Sequence, residues 1–295
     1  MRRLKSHENI EAERFLNNPE LVFHYTKKET AIEHILENST LRFGGFRSTN
    51  DPQDYRRRLS EIRGVMPLGG DSQHTIEKKN IERLSQTINY KLERAGFLSF
   101  CKHHQTQNQI KLGCTKPRMW SQYGESHKGI CLAIDKTILT EKLREFSASD
   151  FQLFHGDIEY LDQNGAVASS NLLEAVTSKD IYESNFKYDQ RILEPDLTPL
   201  INEYFEVDSQ RLLFTKDQDY VDEHEYRIVI ISTGDYTTGE GQLIDISEAL
   251  KAVVLGEQFP TVYRTTIAKQ CQNLSIPCYQ LEWFNGVYFH KKVMF

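Results

Sequence analysis

No apolar run in this chain approaches the roughly 20 residues that a membrane-spanning helix needs. The start, Met1-Arg2-Arg3-Leu4-Lys5-Ser6-His7, lacks the apolar segment of a signal peptide. A cytoplasmic protein without a membrane partner is therefore expected. Cysteine is sparse: Cys101, Cys114, Cys131, Cys271 and Cys278 make an odd count with no C-x-x-C pair, which in the cytoplasm points to free thiols. Cys101, His103, His104 and Cys114 lie close in sequence, but their spacing fits no standard zinc site. A basic excess is missing too. The formal net charge is -6 and the pI is near 6.0, which argues against a protein that coats nucleic acid, because that role needs a broadly positive surface. There is no glycine-rich dinucleotide fingerprint, no P-loop and no repeat period.

What is present suits a folded core. Of the 295 residues, 39% are hydrophobic and 11% aromatic, enough to bury a core without staples. Residues 1–18 read as an N-terminal arm or short helix, and 19–295 as a single α+β domain. Strands are expected at Leu21–Thr26, Leu41–Phe43, Phe97–Cys101, Ile130–Ile134, 151–160, Glu225–Ile231, 243–246, 252–255, 278–283 and 287–293. Helices are expected at Glu29–Asn38, 71–95, around Trp120 and through 261–274, with a helical insertion at about 170–213 broken near Pro195 and Pro199. Helices and strands intermix, so a mixed sheet with helices packed on it follows.

Four polar aromatic islands sit at the edges of apolar segments: His24-Tyr25-Thr26, Ser48-Thr49-Asn50-Asp51-Pro52, Met119-Trp120-Ser121-Gln122-Tyr123 and Glu223-His224-Glu225-Tyr226-Arg227. Functional groups are usually displayed there, on a rigid element but directed out of the core. Strand alternation puts Glu223, Glu225 and Arg227 on one face. That trio is either an edge-strand ion pair or a catalytic carboxylate beside an anion-binding guanidinium. Trp120 and Tyr123 share one helix face, as core anchors or as a wall for a ligand ring. Asn50-Asp51-Pro52 reads as an Asx-type turn or a ligand clamp. Arg56-Arg57-Arg58 reads as a solvated helix face.

These pieces, with Leu41-Arg42-Phe43, Leu98-Ser99-Phe100, Lys128-Gly129-Ile130-Cys131-Leu132 and Val253-Val254-Leu255-Gly256, resemble the bacterial family DUF2971 across residues 21–283. That family has no assigned activity, and the resemblance implies a bacterial defence or mobile-element setting. The order of His-Tyr-Thr, Leu-Arg-Phe, an Asn loop, a middle aromatic and a late strand Glu more remotely resembles the ADP-ribosyltransferase superfamily. The second resemblance implies an ADP-ribosyltransferase-like core and NAD as substrate. His24, Tyr25, Thr26, Asn50, Trp120 and Arg227 would bind NAD, with Arg227 or Arg47 on the pyrophosphate. Glu225, Tyr123 and His24 would be catalytic, Glu223 competing with Glu225 for the carboxylate role. No metal is then required, and the expected reaction is ADP-ribosyl transfer to a nucleic-acid or protein acceptor, or hydrolysis of NAD, by a toxin or anti-phage effector with a neutralising or signalling partner. On this reading Glu225→Gln should stop turnover with little effect on stability. The alternatives are a non-catalytic ligand sensor or interaction scaffold, and a nuclease using Asp51, Glu223 and Glu225 around Mg²⁺.

Overall fold

The computed structural model describes residues 7–49, 83, 86–105, 110–147, 150–161, 198–234 and 237–293. Fifteen strands are assigned among them: β1 (Leu21–Thr26), β2 (Thr40–Arg42), β3 (Gly44–Gly45), β4 (Gly96–Cys101), β5 (His104–Gln105), β6 (Ile110–Lys111), β7 (Ile130–Asp135), β8 (Phe151–Asp157), β9 (Glu159–Leu161), β10 (Thr215–Asp217), β11 (Glu225–Ser232), β12 (Leu243–Asp245), β13 (Leu250–Leu255), β14 (Cys278–Phe284) and β15 (Val287–Lys292). Eight of them form one sheet in the order β15-β14-β13-β7-β1-β4-β11-β8, with β3 added as a ninth strand beside β4. Only the β13–β14 pairing in it is parallel. The molecule is a single α+β domain built on this mixed sheet.

Alternation along the strands divides the core by sheet face. Leu98, Phe100, Ile228, Ile230, Leu132 and Val253 pack on one side beneath the helices Lys136–Ser147 and Arg264–Asn273, through Leu139, Leu143 and Ile267. The other side carries two separate cores. Val229 and Ile231 meet Ile88, Leu92, Phe205 and Leu213, whereas Phe23, Tyr25, Cys131 and Val254 meet Leu16 and Trp120.

Most expected strands form where alternation or β-branched runs place them. The segment 151–160 is interrupted after Asp157, giving β8 and β9. The expected helix at Glu29–Asn38 forms as Lys28–Thr30, a π-helical stretch Ala31–Ile35 and Leu36–Asn38, stopped by Ser39 in the left-handed region at φ 52°. Residues 86–93 are helical with Ile88 and Leu92 buried, while Ile76, Ile81 and Leu84 lie outside the described residues. Of the expected insertion at 170–213, the helix Thr198–Leu213 is described. Lys136–Ser147 is a helix beyond those expected from the sequence. Its signal was Asp135, whose Oδ1 accepts the Thr137 and Ile138 N–H groups at 3.0 and 3.1 Å as an N-cap, ahead of Leu139 and Leu143 at four-residue spacing.

The turn after Tyr123 is unusual. Glu125, Ser126 and His127 are consecutive left-handed residues, at φ 51°, 52° and 68°, a conformation disfavoured for non-glycine residues. The surroundings hold it: Gln258 N–H donates to His127 O at 2.9 Å, Gly256 N–H to Gly129 O at 3.1 Å, and Lys28 Nζ to Glu125 Oε1 at 2.5 Å. A Cβ at Gly256 would strike the His127 carbonyl, which is backbone already fixed. Gly256→Ala is therefore expected to lower the unfolding free energy by about 1–3 kcal/mol, read as a shift in the urea midpoint. An unchanged midpoint would show that this turn can relax.

Candidate functional site

The site begins where the sheet opens. β1 pairs with β7 along all six residues, but with β4 only at Phe23↔Cys101. Beyond that pair the two strands diverge, and His24 spans the gap with Nδ1 3.1 Å from Ser99 O. A carbonyl only accepts, so Nδ1 carries the proton and Nε2 of the neutral ring is left as an acceptor. Burial lowers the His24 pKa, partly offset by the Ser99 carbonyl, so the ring is neutral near pH 7.

A cavity of about 270 Å³ occupies the split, between the two cores of that sheet face. His24, Tyr25, Tyr123, Glu225 and Arg227 line it, with Ser99, Glu223 and Lys216. Phe23, Phe97, Phe100 and Met119 supply apolar wall. Islands separated by as many as 203 positions, from His24 to Arg227, thus meet at one place.

Four of the lining residues form a buried charge cluster. Glu225 pairs with Cys101, and Arg227 with Ser99, in the β11–β4 register. These side chains therefore share a face. Arg227 Nε donates to Glu225 Oε1 at 2.7 Å and Nη2 to Oε2 at 3.2 Å, while Nη1 donates to Leu213 O at 2.9 Å. The guanidinium also lies near the Phe46 and Phe97 rings. Ser99 Oγ donates to Glu225 Oε1 at 2.5 Å. Lys216 Nζ reaches Glu223 Oε2 at 2.6 Å and Glu225 Oε2 at 3.4 Å. Tyr123 Oη donates to Glu223 Oε1 at 2.7 Å. Burial pushes the Glu225 carboxyl up, but the Arg227 and Lys216 charges and the Arg227 and Ser99 hydrogen bonds outweigh it, holding its pKa down at about 2. Burial alone would lower the Lys216 pKa, yet the Glu225 and Glu223 charges raise it.

Several expectations change with this geometry. β11 lies between β4 and β8, so Glu225 and Arg227 form no edge-strand surface pair; they are 4% and 1% exposed. Glu223 does not reach the cavity by strand alternation. It ends a 3-10 helix, Gln218–Glu223, and left-handed His224 turns the chain into β11. Trp120 is no ligand wall: it is fully buried, its Nε1 donates to Cys114 O at 2.8 Å, and its ring meets Tyr25 edge-on. Thr26 is buried and outside the lining. Arg47 is 63% exposed and paired with Glu93 at 2.8 Å. Asn50, Asp51, Pro52 and Arg56 to Arg58 lie outside the described residues. Glu225→Gln cannot be neutral for stability, because it would leave two buried cations with Glu223 as their nearby anion.

Ser99 and Lys216 were not singled out from sequence. Ser99 was visible as the one hydroxyl in the apolar run Phe97-Leu98-Ser99-Phe100-Cys101, and a buried hydroxyl needs a partner. Lys216 carried no such signal, since its partner carboxylates lie beyond the next turn of chain.

Residues 119–228 match the family model described as protein of unknown function (DUF2971). The DUF2971 match contains Tyr123, Lys216, Glu223, Glu225 and Arg227, and stops short of β1 and β4, which bring His24 and Ser99. No curated protein and no solved structure matches the chain. No helix among the described residues is long and apolar enough to cross a membrane. Among those residues, no group of three or more His, Cys, Asp or Glu side chains is disposed to hold a metal.

Proposed function

We propose that this protein is an NAD-consuming enzyme of the ADP-ribosyltransferase kind, acting in the cytoplasm as a toxin or defence effector on a nucleic-acid or protein acceptor, or hydrolysing NAD. The observation that supports this reading most is the convergence of His24, Tyr123 and the Ser99-bound Glu225 carboxylate on one partly apolar cavity. A volume of about 270 Å³ lies just below the ~300–1,000 Å³ of ordinary ligand pockets, so it suits one ring and its sugar while the rest of the dinucleotide stays outside.

Each residue then has a task. Tyr25, Phe100 and Met119 give the nicotinamide ring an apolar seat. His24, neutral and with Nε2 accepting, takes a hydrogen bond from a ribose hydroxyl. As nicotinamide leaves, positive charge grows on the ribose carbon, and an ionised Glu225 opposes it. A carboxyl held near 2 is a weak base, so Glu225 contributes charge and not proton abstraction. Tyr123 holds Glu223 beside it through a 2.7 Å hydrogen bond.

One observation favours a second reading, a ligand sensor without chemistry. Both Glu225 oxygens already accept charge-assisted bonds, the arrangement of a finished binding pocket. The nuclease reading is weaker, because Glu223 and Glu225 are occupied by Lys216 and Arg227. Purified protein incubated with NAD, with and without cell extract, is expected to release nicotinamide and to label a macromolecule or form free ADP-ribose. His24→Ala should weaken this mainly through KM. NAD binding by calorimetry without release would move the assignment to the sensor, and neither binding nor release would remove NAD from the proposal.

A further inference from the structure

We propose that Lys216 is a positioning residue whose ammonium keeps Glu223 and Glu225 ionised together at the cavity wall; without it the two carboxylates would share a proton. The geometry is local and closed. β10 carries Lys216, and Asp217 then caps the following 3-10 helix by accepting the Asp219 N–H at 3.0 Å. That helix ends on Glu223, and left-handed His224 reverses the chain into Glu225. The ammonium thus returns to two carboxylates 7 and 9 residues further along, with the Tyr220 ring 4.5 Å away. All three side chains are at most 8% exposed.

The charges set the consequence. Arg227 serves Glu225. Among the described residues, Lys216 is the cation that pairs with the Glu223 carboxylate. Lys116 comes near from the other side, but its ammonium donates to the Asp222 and Glu223 carbonyls at 3.3 Å each. Among the described residues, Tyr123 bonds Glu223, Tyr160 takes the Glu225 N–H at 2.8 Å, Tyr220 lies beside the ammonium, and His24 and Cys101 face the pair across the cavity; burial raises the Tyr160 and Cys101 pKa values and lowers that of His24, so these three are neutral near pH 7. Removing the ammonium leaves two buried carboxylates and one guanidinium, and a buried net charge is relieved by taking up a proton. The catalytic consequence rests on the transferase reading, since an ionised Glu225 is what opposes charge on ribose. The charge state itself does not.

Urea midpoints at pH 5 and pH 8 test this without NAD. In the wild type the Glu225 carboxyl is held down at about 2 by Arg227 and Lys216 against the cost of burial, so its contribution is complete above about pH 4.3, the ordinary glutamate value, and adds no slope between pH 5 and 8. In Lys216→Met a carboxyl with a raised folded pKa contributes stability that is lost as pH rises, so the midpoint should fall from pH 5 to pH 8 relative to wild type. Lys216→Arg should follow wild type, and Lys216→Met/Glu223→Gln should lose the added slope. Parallel profiles for wild type and Lys216→Met would overturn the proposal. If Lys216→Met does not fold, recovery in the double variant supports the charge argument, and failure of the double variant assigns Lys216 to packing and overturns it. Nicotinamide release has no bearing on these outcomes.

Discussion

Arg227→Ala should lower the unfolding free energy by about 3–5 kcal/mol, the cost of breaking a buried ion pair from one side. The guanidinium is 1% exposed, makes two bonds to Glu225 and one to the Leu213 carbonyl, and fills space near Phe46 and Phe97. Alanine would leave Glu225 with Lys216 at 3.4 Å as its remaining ion-pair partner, remove the guanidinium bond to the Leu213 carbonyl, and open a void. Arg227→Lys should recover only part of the loss, because an ammonium cannot reproduce the fork. Arg227→Met/Glu225→Leu should be closer to wild type than Arg227→Ala, since Lys216 and Glu223 would remain as a balanced pair. The same interaction fixes an acid limb. Glu225 is depressed in the folded state to about 2, so its stabilisation is complete above about pH 4.3 and is lost as pH falls toward 2. Arg227→Ala should blunt that limb. Equilibrium urea titrations at pH 7 and pH 3 give both numbers, and a loss below about 1 kcal/mol at pH 7, within the range of an exposed pair, would mean the pair is not the anchor its burial indicates.

The sheet was largely legible in the sequence, whereas the site was legible only as a set of islands. Segments such as Leu21–Thr26 and Glu225–Ser232 carry β-branched and aromatic residues whose burial is local, so composition alone locates β1 and β11. Strand order is not local. The meeting of His24 with Ser99, and of Ser99 with Glu225, depends on β4 lying between β1 and β11 and on β1 parting from it after one residue pair. Trp120 shows the opposite difficulty. Its indole N–H finds the Cys114 carbonyl six residues back, a bond that makes an aromatic in a polar island a core residue. In the sequence the Glu223-to-Glu225 spacing matches strand alternation, and the left-handed His224 that replaces it has no marker in a non-glycine residue.

Glu225→Gln is expected to reduce nicotinamide release by about 10²–10³-fold in kcat, comparable with deleting one preorganised group aimed at developing transition-state charge. KM should change little, because a neutral isostere keeps the cavity's shape and the interaction lost belongs to the transition state. The variant also unbalances the cluster: Arg227 and Lys216 would face Glu223 alone, so its melting temperature should drop. Turnover must therefore be taken per folded molecule, at a temperature where near-UV circular dichroism shows both proteins native. That separation makes the result decisive. A folded Glu225→Gln protein with wild-type kcat would reduce Glu225 to a counter-ion for Arg227 and Lys216, and leave the cavity as a binding site. A folded protein with unchanged KM and the expected loss in kcat would place the carboxylate charge at the reacting carbon.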